Sequence, residues 1–511
     1  MSTKPGKVVK IRILNEVHMM IVGLHGDHLM HFYNQYAILA ANYFFNPKYK
    51  LGQWDGKIRY FNKDGRTYLF LLEDILPQIV KFGYSIDIED VRETNAYQPD
   101  NINENIFAHI LHPDSKKPII LRDYQIDAVN ILIDNGFGVC VAGTGAGKTF
   151  MCAALVTAHD HLNLKSITIV PDQTLIRQTK RDYINCGLDT GEYSGHEKSL
   201  NHKHIVSTWQ ALKNNPQIMN TFDMVIVDEC HGLRGNVLQK IICDHASKMP
   251  YRFGFTGTLP KDASEKMLVH IAVGPERYTI PAHELQEKGV LSTIQIDIVQ
   301  LEEDLTEQYE QWCIEENIGK PPTYTEFKDS YFGDFSAEKS YVQRKQSRME
   351  WIADAIMVKA DQKKGNVMCF VDSIPIGRQI AALIPGSIFV NGQDVKDPKK
   401  RQKVYDMFAT HDNLVVIATV HIAGTGLSIN RIFNLFFIDI GKSFIRVIQA
   451  IGRGLRMDED KDHVSCTDIC SDLKYGKKHL ADRIKFYKEA RYPYKKTKIK
   501  YNNDVMEDIQ C

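Results

Sequence analysis

One glycine-rich turn restricts the fold of this chain more than any other segment. A short apolar run at residues 138–141 leads straight into Ala142-Gly143-Thr144-Gly145-Ala146-Gly147-Lys148-Thr149, and a helical pattern comes next. Glycine tolerates the backbone angles of a tight turn and lets successive N–H groups converge on an anion. The helix behind it adds the positive end of its dipole. In that setting the Lys148 ammonium can neutralise β- and γ-phosphates, and the Thr149 hydroxyl can ligate Mg2+. Gly143, Thr144, Gly145, Ala146 and Gly147 are the expected cradle. The general pattern opens on glycine, where this chain has Ala142. A glycine-rich stretch can be a plain strand–helix turn. Gly-Lys-Thr directly after a buried strand points instead to a phosphate site.

Such a turn belongs to an open α/β sheet, and the flanking pattern agrees. Apolar runs at 138–141, 166–170, 204–206, 224–227 and 252–255 alternate with helical patterns between about residues 121 and 278. That is the sequence form of a doubly wound parallel sheet. A second series, at 366–371, 387–390, 414–418, 435–440 and 465–469, repeats it. The length of 511 residues suits roughly three domains. Short strands at 8–14 and 57–61 and a helix at 27–42 make up the first block, and 92–103 reads as a polar linker. Residues 301–348 are charged, aromatic and expected to be helical, with no role assigned. The expected domains are 1–100, a small N-terminal α+β accessory domain; 101–285, the first lobe, which binds nucleotide; 286–350, a linker with a helical insertion; and 351–511, the second lobe with a basic C-terminal tail.

Val225-Ile226-Val227-Asp228-Glu229-Cys230-His231 supplies a second half for the phosphate site. A buried strand delivers two adjacent carboxylates to its C-terminal edge, where open sheets bind ligands. Asp228 is expected to hold Mg2+, and Glu229 to orient and deprotonate an attacking water. An Asp-Glu pair alone is a weak signal. Placed 80 residues after Lys148 in the same expected sheet, it is a strong one.

Here the chain resembles helicase superfamily 2, and the resemblance covers most of it from Leu121 onward. Residues 228–231, Asp-Glu-Cys-His, are the DExH form of that family's motif II. Leu121-Arg122-Asp123-Tyr124-Gln125 resembles its glutamine motif, which implies that Gln125 contacts the adenine and puts Arg122 among the nucleotide-binding residues. Alanine at 142 is common in these helicases. Gln449-Ala450-Ile451-Gly452-Arg453-Gly454-Leu455-Arg456 resembles motif VI. Two arginines three apart can share a helical face, and phosphoryl transfer needs positive charge on the equatorial oxygens. The resemblance thus implies two RecA-like lobes with ATP between them, completed on closure by Arg453 and Arg456, with Gln449 beside them. Phe255-Thr256-Gly257-Thr258 resembles motif III, where Thr256 and Thr258 would report phosphate state. Residues 419–429 resemble motif V, in which Gly424 and Gly426 allow close backbone approach. The family commonly has aspartate where Ser428 stands.

Nucleic acid is expected at strand ends. Pro171-Asp172-Gln173-Thr174 with Arg177 resembles motif Ia, and Val371-Asp372-Ser373 resembles motif IV. Ser207-Thr208-Trp209-Gln210 occupies a similar place. Thr174, Arg177, Thr208, Trp209 and Ser373 would grip sugar and phosphate without reading bases, giving little sequence specificity and marked salt sensitivity. Further upstream, Phe45-Asn46-Pro47-Lys48-Tyr49-Lys50 and Gln53-Trp54-Asp55-Gly56-Lys57-Ile58-Arg59, with Leu76-Pro77 and Phe82-Gly83-Tyr84, resemble the accessory domain of phage UvsW-type recombination helicases. That resemblance implies fork regression, branch migration, R-loop unwinding and annealing in recombination, repair and replication. Lys48, Lys50, Trp54 and Arg59 are the expected DNA contacts there, although tryptophan is more often a core residue. The expected partners are branched or single-stranded DNA and RNA–DNA hybrid, with room for single-strand-binding or recombination proteins.

Net charge is zero, against indiscriminate coating of nucleic acid, yet residues 474–500 carry eleven Lys/Arg against Asp482 and Glu489, a net of 11 − 2 = +9. Phe486, Tyr487, Tyr492, Tyr494 and Tyr501 interleave with those lysines, so the segment reads either as a stacking tail or as an amphipathic helix on the second lobe. Ten scattered cysteines without a CxxC pair suggest buried thiols in a reducing compartment rather than a zinc site. No apolar run of about 18 residues suggests a membrane span, and residues 1–10 lack a signal core. A cytoplasmic protein is expected, in the bacterial host if phage-encoded. Rival readings are a duplex translocase that does not separate strands, an RNA-restricted helicase and a non-hydrolysing binding protein.

Overall fold

The computed structural model describes residues 8–93, 97–111, 116–316, 321–361, 365–393, 403–404, 406–420, 431–441 and 463–501. The chain forms two compact units, 1–280 and 281–511. The first opens with β1 (Val8–Ile13), β2 (His18–Val22), β3 (Ala37–Leu39), β4 (Lys57–Arg59), β5 (Arg66–Tyr68) and β6 (Ser85–Asp90). Four of them make a sheet in the order β5-β2-β1-β6, and β3 and β4 form a separate antiparallel ladder. Val9, Ile11 and Ile13 turn inward along β1, as the two-residue period of a strand requires.

That inner face does not close on itself. Its core takes in Phe32, Tyr36, Phe61, Ile75 and Ile79, and also Ile271, with Met267 and Leu268 packed against it. Those last three belong to the helix Ala263–Val273 of the next layer. Arg277 pairs with Glu73 at 2.6 Å, and the Phe70 and Phe137 rings lie 4.6 Å apart. The small N-terminal region expected at 1–100 is present, and its core continues into the nucleotide-binding lobe through Ile271, Met267 and Leu268. So small a sheet cannot bury its apolar face alone.

The next layer holds β7 (Phe137–Ala142), β8 (Ser166–Ile169), β9 (Thr190–Tyr193), β10 (His204–Ser207), β11 (Met224–Asp228), β12 (Tyr251–Thr256) and β13 (Glu276–Ile280). All run parallel, in the order β13-β7-β12-β11-β8-β10-β9. Every residue of β8, β10 and β12 is buried, because helices cover both faces. The chain leaves β7, passes β12 and β11, and enters β8. The carboxyl ends of β7, β12 and β11 consequently stand side by side. At β12 the Arg252 side chain is fully buried and donates to the carbonyls of Ile242, Ala246 and Ala272.

The second unit repeats the plan with β14 (Thr293–Leu301), β15 (Val367–Val371), β16 (Ile388–Val390), β17 (Val415–Thr419), β18 (Asn434–Ile438), β19 (His463–Ser471) and β20 (Tyr494–Ile499). They form a parallel sheet in the order β16-β17-β15-β18-β19-β14-β20. The expected pair of doubly wound parallel-sheet lobes with a small N-terminal α+β region is thus present. Two boundaries change. The expected linker at 286–350 contains β14, which pairs with β19 over nine residues. Its helices gather around Leu305, Phe327, Phe332, Val342 and Leu473. The expected basic tail is likewise structural. Its helix Lys474–Glu489 buries Phe486 and Tyr487, Tyr492 and Tyr501 are buried, and β20 forms the sheet edge. These aromatics are core side chains, so the stacking-tail reading is set aside. Among the described residues no helix is long and apolar enough to cross a membrane.

The shared core can be tested by truncation. Residues 1–280 should unfold cooperatively, whereas 101–280 should be less stable by at least about 3 kcal/mol, since it uncovers three apolar side chains. Equal urea midpoints for the two fragments would remove the shared core.

Candidate active site

The glycine-rich turn comes directly after β7. Gly145 and Gly147 take φ of +89° and +79°, and the helix Lys148–Asp160 starts at the next residue. Left-handed angles strain any residue with a Cβ. At Gly147 a Cβ would also sit 2.3 Å from the Gln125 amide nitrogen. Gly143 N–H donates to the Ile280 carbonyl at 3.0 Å, and Ala146 N–H to Gly143 at 3.1 Å. Lys148 Nζ lies 3.2 Å from the Ala142 carbonyl. Thr144 and Thr149 are partly exposed beside it.

Gln125 is tied down from both ends. Its carbonyl accepts from the Arg122 N–H at 2.9 Å, and its amide donates to the Ala146 carbonyl at 2.9 Å. The residue is only 3% exposed. Tyr124, beside it, donates its hydroxyl to the same Ala146 carbonyl at 3.0 Å. The resemblance expects Gln125 to face the base. In this structure it braces the glycine-rich turn. Tyr124 shares that task, although its motif implies no role for it; an aromatic hydroxyl on the first turn of a helix next to such a loop is the one signal in the sequence.

Asp228 ends β11 and Glu229 follows it, both partly exposed. Glu229 adopts φ +49°, a left-handed conformation that costs a non-glycine residue about 1–2 kcal/mol. Its N–H donates to Asp228 Oδ1 at 2.9 Å. From the neighbouring β12 end, Thr256 Oγ1 lies 3.2 Å from Glu229 Oε2 and 2.9 Å from the Thr258 carbonyl. Its single proton can go to only one of them. His231 Nδ1 lies 3.0 Å from the Thr256 hydroxyl and 3.3 Å from Glu229 Oε2. Gly257 brings the same turn close to the phosphate loop: a Cβ there would be 3.8 Å from Lys148 Nζ.

The two carboxylates are driven apart electrostatically. Loss of water raises Asp228, and the adjacent Glu229 charge raises it further. Loss of water would raise Glu229 as well, but the His231 contact, Lys148 and Thr256 outweigh it and hold Glu229 ionised. One site thus contains a carboxylate fixed in its charged form beside one that protonates more readily.

Other expected residues lie elsewhere. Asp172 caps the helix Gln173–Asn185 by accepting from Thr174 N–H at 2.8 Å, and Arg177 on that helix is exposed. Thr208 is 2% exposed and Trp209 packs on the lobe core, so of this pair only backbone and an indole edge can face outward. Ser373 precedes the helix Ile374–Leu383 in the second unit, with its hydroxyl buried. Lys48 is exposed, and Trp54 donates its indole N–H to the Lys57 carbonyl at 2.9 Å. Arg59 is engaged by Asp55 and stacks over Tyr33 at 4.8 Å, so it is not a free cation. Gly424, Gly426, Ser428, Gln449, Arg453 and Arg456 lie outside the described residues.

Comparisons with known proteins agree with this assembly. The family described as "Type III restriction enzyme, res subunit" matches residues 118–261, and that described as "DNA helicase UvsW, N-terminal" matches residues 9–89. The chain is 24% identical to the "ATP-dependent DNA helicase uvsW" of Enterobacteria phage T4 over 90% of this chain and 93% of the relative. It is 32% identical to a "DNA 3'-5' translocase XPB2" of Sulfurisphaera tokodaii over 39% of this chain and 45% of that one. The fold is similar to a putative HsdR subunit of a type I restriction enzyme from Vibrio vulnificus, with TM-score 0.54, 16% identity, and coverage of 78% of this chain and 71% of that one. The matches show a helicase of superfamily 2 type with a UvsW-type region ahead of its first lobe.

Proposed function

We propose that this chain is an ATP-driven DNA helicase that acts on branched DNA and R-loops. The observation that carries the reading is the convergence of Lys148, Asp228, Glu229 and Thr256 at three adjacent strand ends, in a unit that includes the UvsW-type region. Gly143 to Gly147 and the helix behind them receive the phosphates of ATP, with Lys148 as counter-charge. Arg122 and Gln125 act on the nucleotide through the turn they brace. Thr149 and Asp228 offer hydroxyl and carboxylate oxygens, the donor types that Mg2+ prefers. Mg2+ held by these oxygens would supply charge neutralisation to the phosphates. Glu229, kept ionised, orients a water and accepts its proton. Thr256, which accepts from Thr258 N–H at 3.3 Å, can give its proton to that carboxylate, so phosphate state reaches the turn beyond. The family resemblance gives Arg453, Arg456 and Gln449 to phosphoryl transfer and Gly426 to coupling.

Movement requires that affinity for the strand differ between nucleotide states. Thr174, Arg177, Trp209, Lys48 and Trp54, with backbone at Thr208 and Ser373, are the proposed contacts, and Arg59 supports them through Asp55. The similarity to the phage T4 helicase supports ATP-driven work on DNA; branched substrates in recombination, repair and replication, the host cytoplasm, and single-strand-binding or recombination proteins as partners belong to the same proposal. A second reading, a duplex translocase that leaves strands paired, is favoured by the 32% identity to the archaeal translocase.

Phosphate release measured with single-stranded, plain duplex, forked and four-way DNA and an RNA–DNA hybrid tests the reading. Forked and four-way DNA should stimulate most and should also be unwound. Stimulation by plain duplex without strand displacement would favour the translocase, and stimulation by RNA alone would defeat both. Lys148→Ala should abolish ATP turnover while DNA binding persists; normal turnover rules out the phosphate site. Thr256→Val, nearly isosteric, should lower kcat roughly 10- to 100-fold with KM little changed, the scale of a misplaced general base. An unchanged kcat removes Thr256 from the mechanism.

A further inference from the structure

The β3–β4 ladder pairs Ala37 with Arg59, Ile38 with Ile58 and Leu39 with Lys57, and Ala40 N–H then donates to the Gly56 carbonyl at 2.8 Å. Residues 40–56 are therefore the tip of a hairpin, far longer than the usual loop of about 2–5 residues. The tip is braced from within. Asn46 caps the short helix Pro47–Lys50 by accepting from Lys48 N–H at 3.0 Å. Tyr43 meets Tyr49 edge-on at 4.8 Å and lies so close to Gly56 that a Cβ there would be 2.8 Å from its ring. Outside these braces Phe44 and Phe45 stand 4.4 Å apart, 50% and 67% exposed, and Leu51 is 70% exposed. A contiguous apolar patch on an ordered tip marks a contact surface. Lys48 and Lys50 flank it, and among the described residues neither has a carboxylate within ion-pair distance, while Asp55 is taken by Arg59.

We infer that this tip is a stacking wedge for unpaired bases, with Phe44 and Phe45 against base faces and Lys48 and Lys50 on the backbone. The inference rests on the helicase reading and names how its N-terminal region engages a junction. Exposed aromatic faces beside unpaired lysines match a polyanion whose every base has a π-face. A protein partner fits less well, because interface cores are depleted of lysine. The wedge stands on firm ground. Ala41 N–H donates to Ser264 Oγ at 3.2 Å, and Tyr60 donates its hydroxyl to the Ser264 carbonyl at 3.1 Å. Ser264, held by Asp262 at 2.6 Å, lies on the first turn of the helix that comes after the Thr256-Gly257-Thr258 turn. The tip is thus mounted on the element leaving the proposed ATP site.

The test uses the full chain with the double substitution Phe44→Ala and Phe45→Ala. Thermal unfolding and DNA-independent ATP turnover should match wild type, since both rings face solvent. Affinity for an oligothymidylate of about 12 nucleotides should fall by about 10-fold or more, as loss of stacking aromatics predicts. Displacement on forked DNA should fall with it, while stimulation by plain duplex persists. As an independent probe, Phe45→Trp should add tryptophan emission that the oligothymidylate quenches. Unchanged affinity and displacement, or emission that the oligonucleotide leaves untouched, overturns the wedge and leaves the helicase reading standing. If wild type responds to no DNA at all, the helicase reading falls first and the wedge with it.

Discussion

Parallel strands send all their carboxyl ends to one edge, and strand order decides which ends become neighbours. In the first unit β7, β12 and β11 are adjacent, although 82 residues separate the last residue of β7 from the first of β11 in sequence. That adjacency alone lets one ammonium influence two carboxylates and one hydroxyl touch a glutamate from the next strand. The loops differ in shape and length, but the hydrogen-bonded ladder fixes their starting points to within a strand spacing of roughly 5 Å. Chemistry that needs sub-ångström placement is thereby built on the stiffest part of the unit.

The most legible segments in the sequence were those whose chemistry allows few residue types. The turn around Lys148 needs glycines at left-handed angles, and Asp228 and Glu229 need a buried strand before them. Central strands were legible because burial on both faces demands continuous apolar runs. Strands near the sheet edges were not. β20 reads Tyr-Lys-Lys-Thr-Lys-Ile, and its lysines discourage pairing with another chain while resembling a nucleic-acid tail. β14 alternates apolar and polar residues, a strand signal masked by the charged helices after it. Gln125, Tyr124 and Ser264 illustrate a different limit. Each acts at least in part through a backbone carbonyl or amide of a distant segment, and sequence does not specify which carbonyl will be near.

The second unit carries its own constraint in buried charge. Arg348, fully buried, pairs with Glu303 at 2.8 Å and bidentately with Asp439 at 2.7 and 2.8 Å. Arg483 does the same with Asp468, and Glu338 accepts from the N–H groups of Tyr475 and Gly476 at the start of a helix. Burying ions this way stabilises little on net, but removing one partner leaves a bare charge. The pairs tie β14, β18, β19 and three helices into one arrangement. They explain why a region that reads as linker and tail is integral to the sheet.

Glu229 carries a conformation that glycine would adopt without strain. A protein evolving only for heat tolerance would gain by giving that position up, and would lose the carboxylate proposed to activate water in the same step. Thermostability and turnover are therefore opposed at this single backbone angle. A selection for thermal hardiness, run without a requirement for activity, should find position 229 among its early casualties.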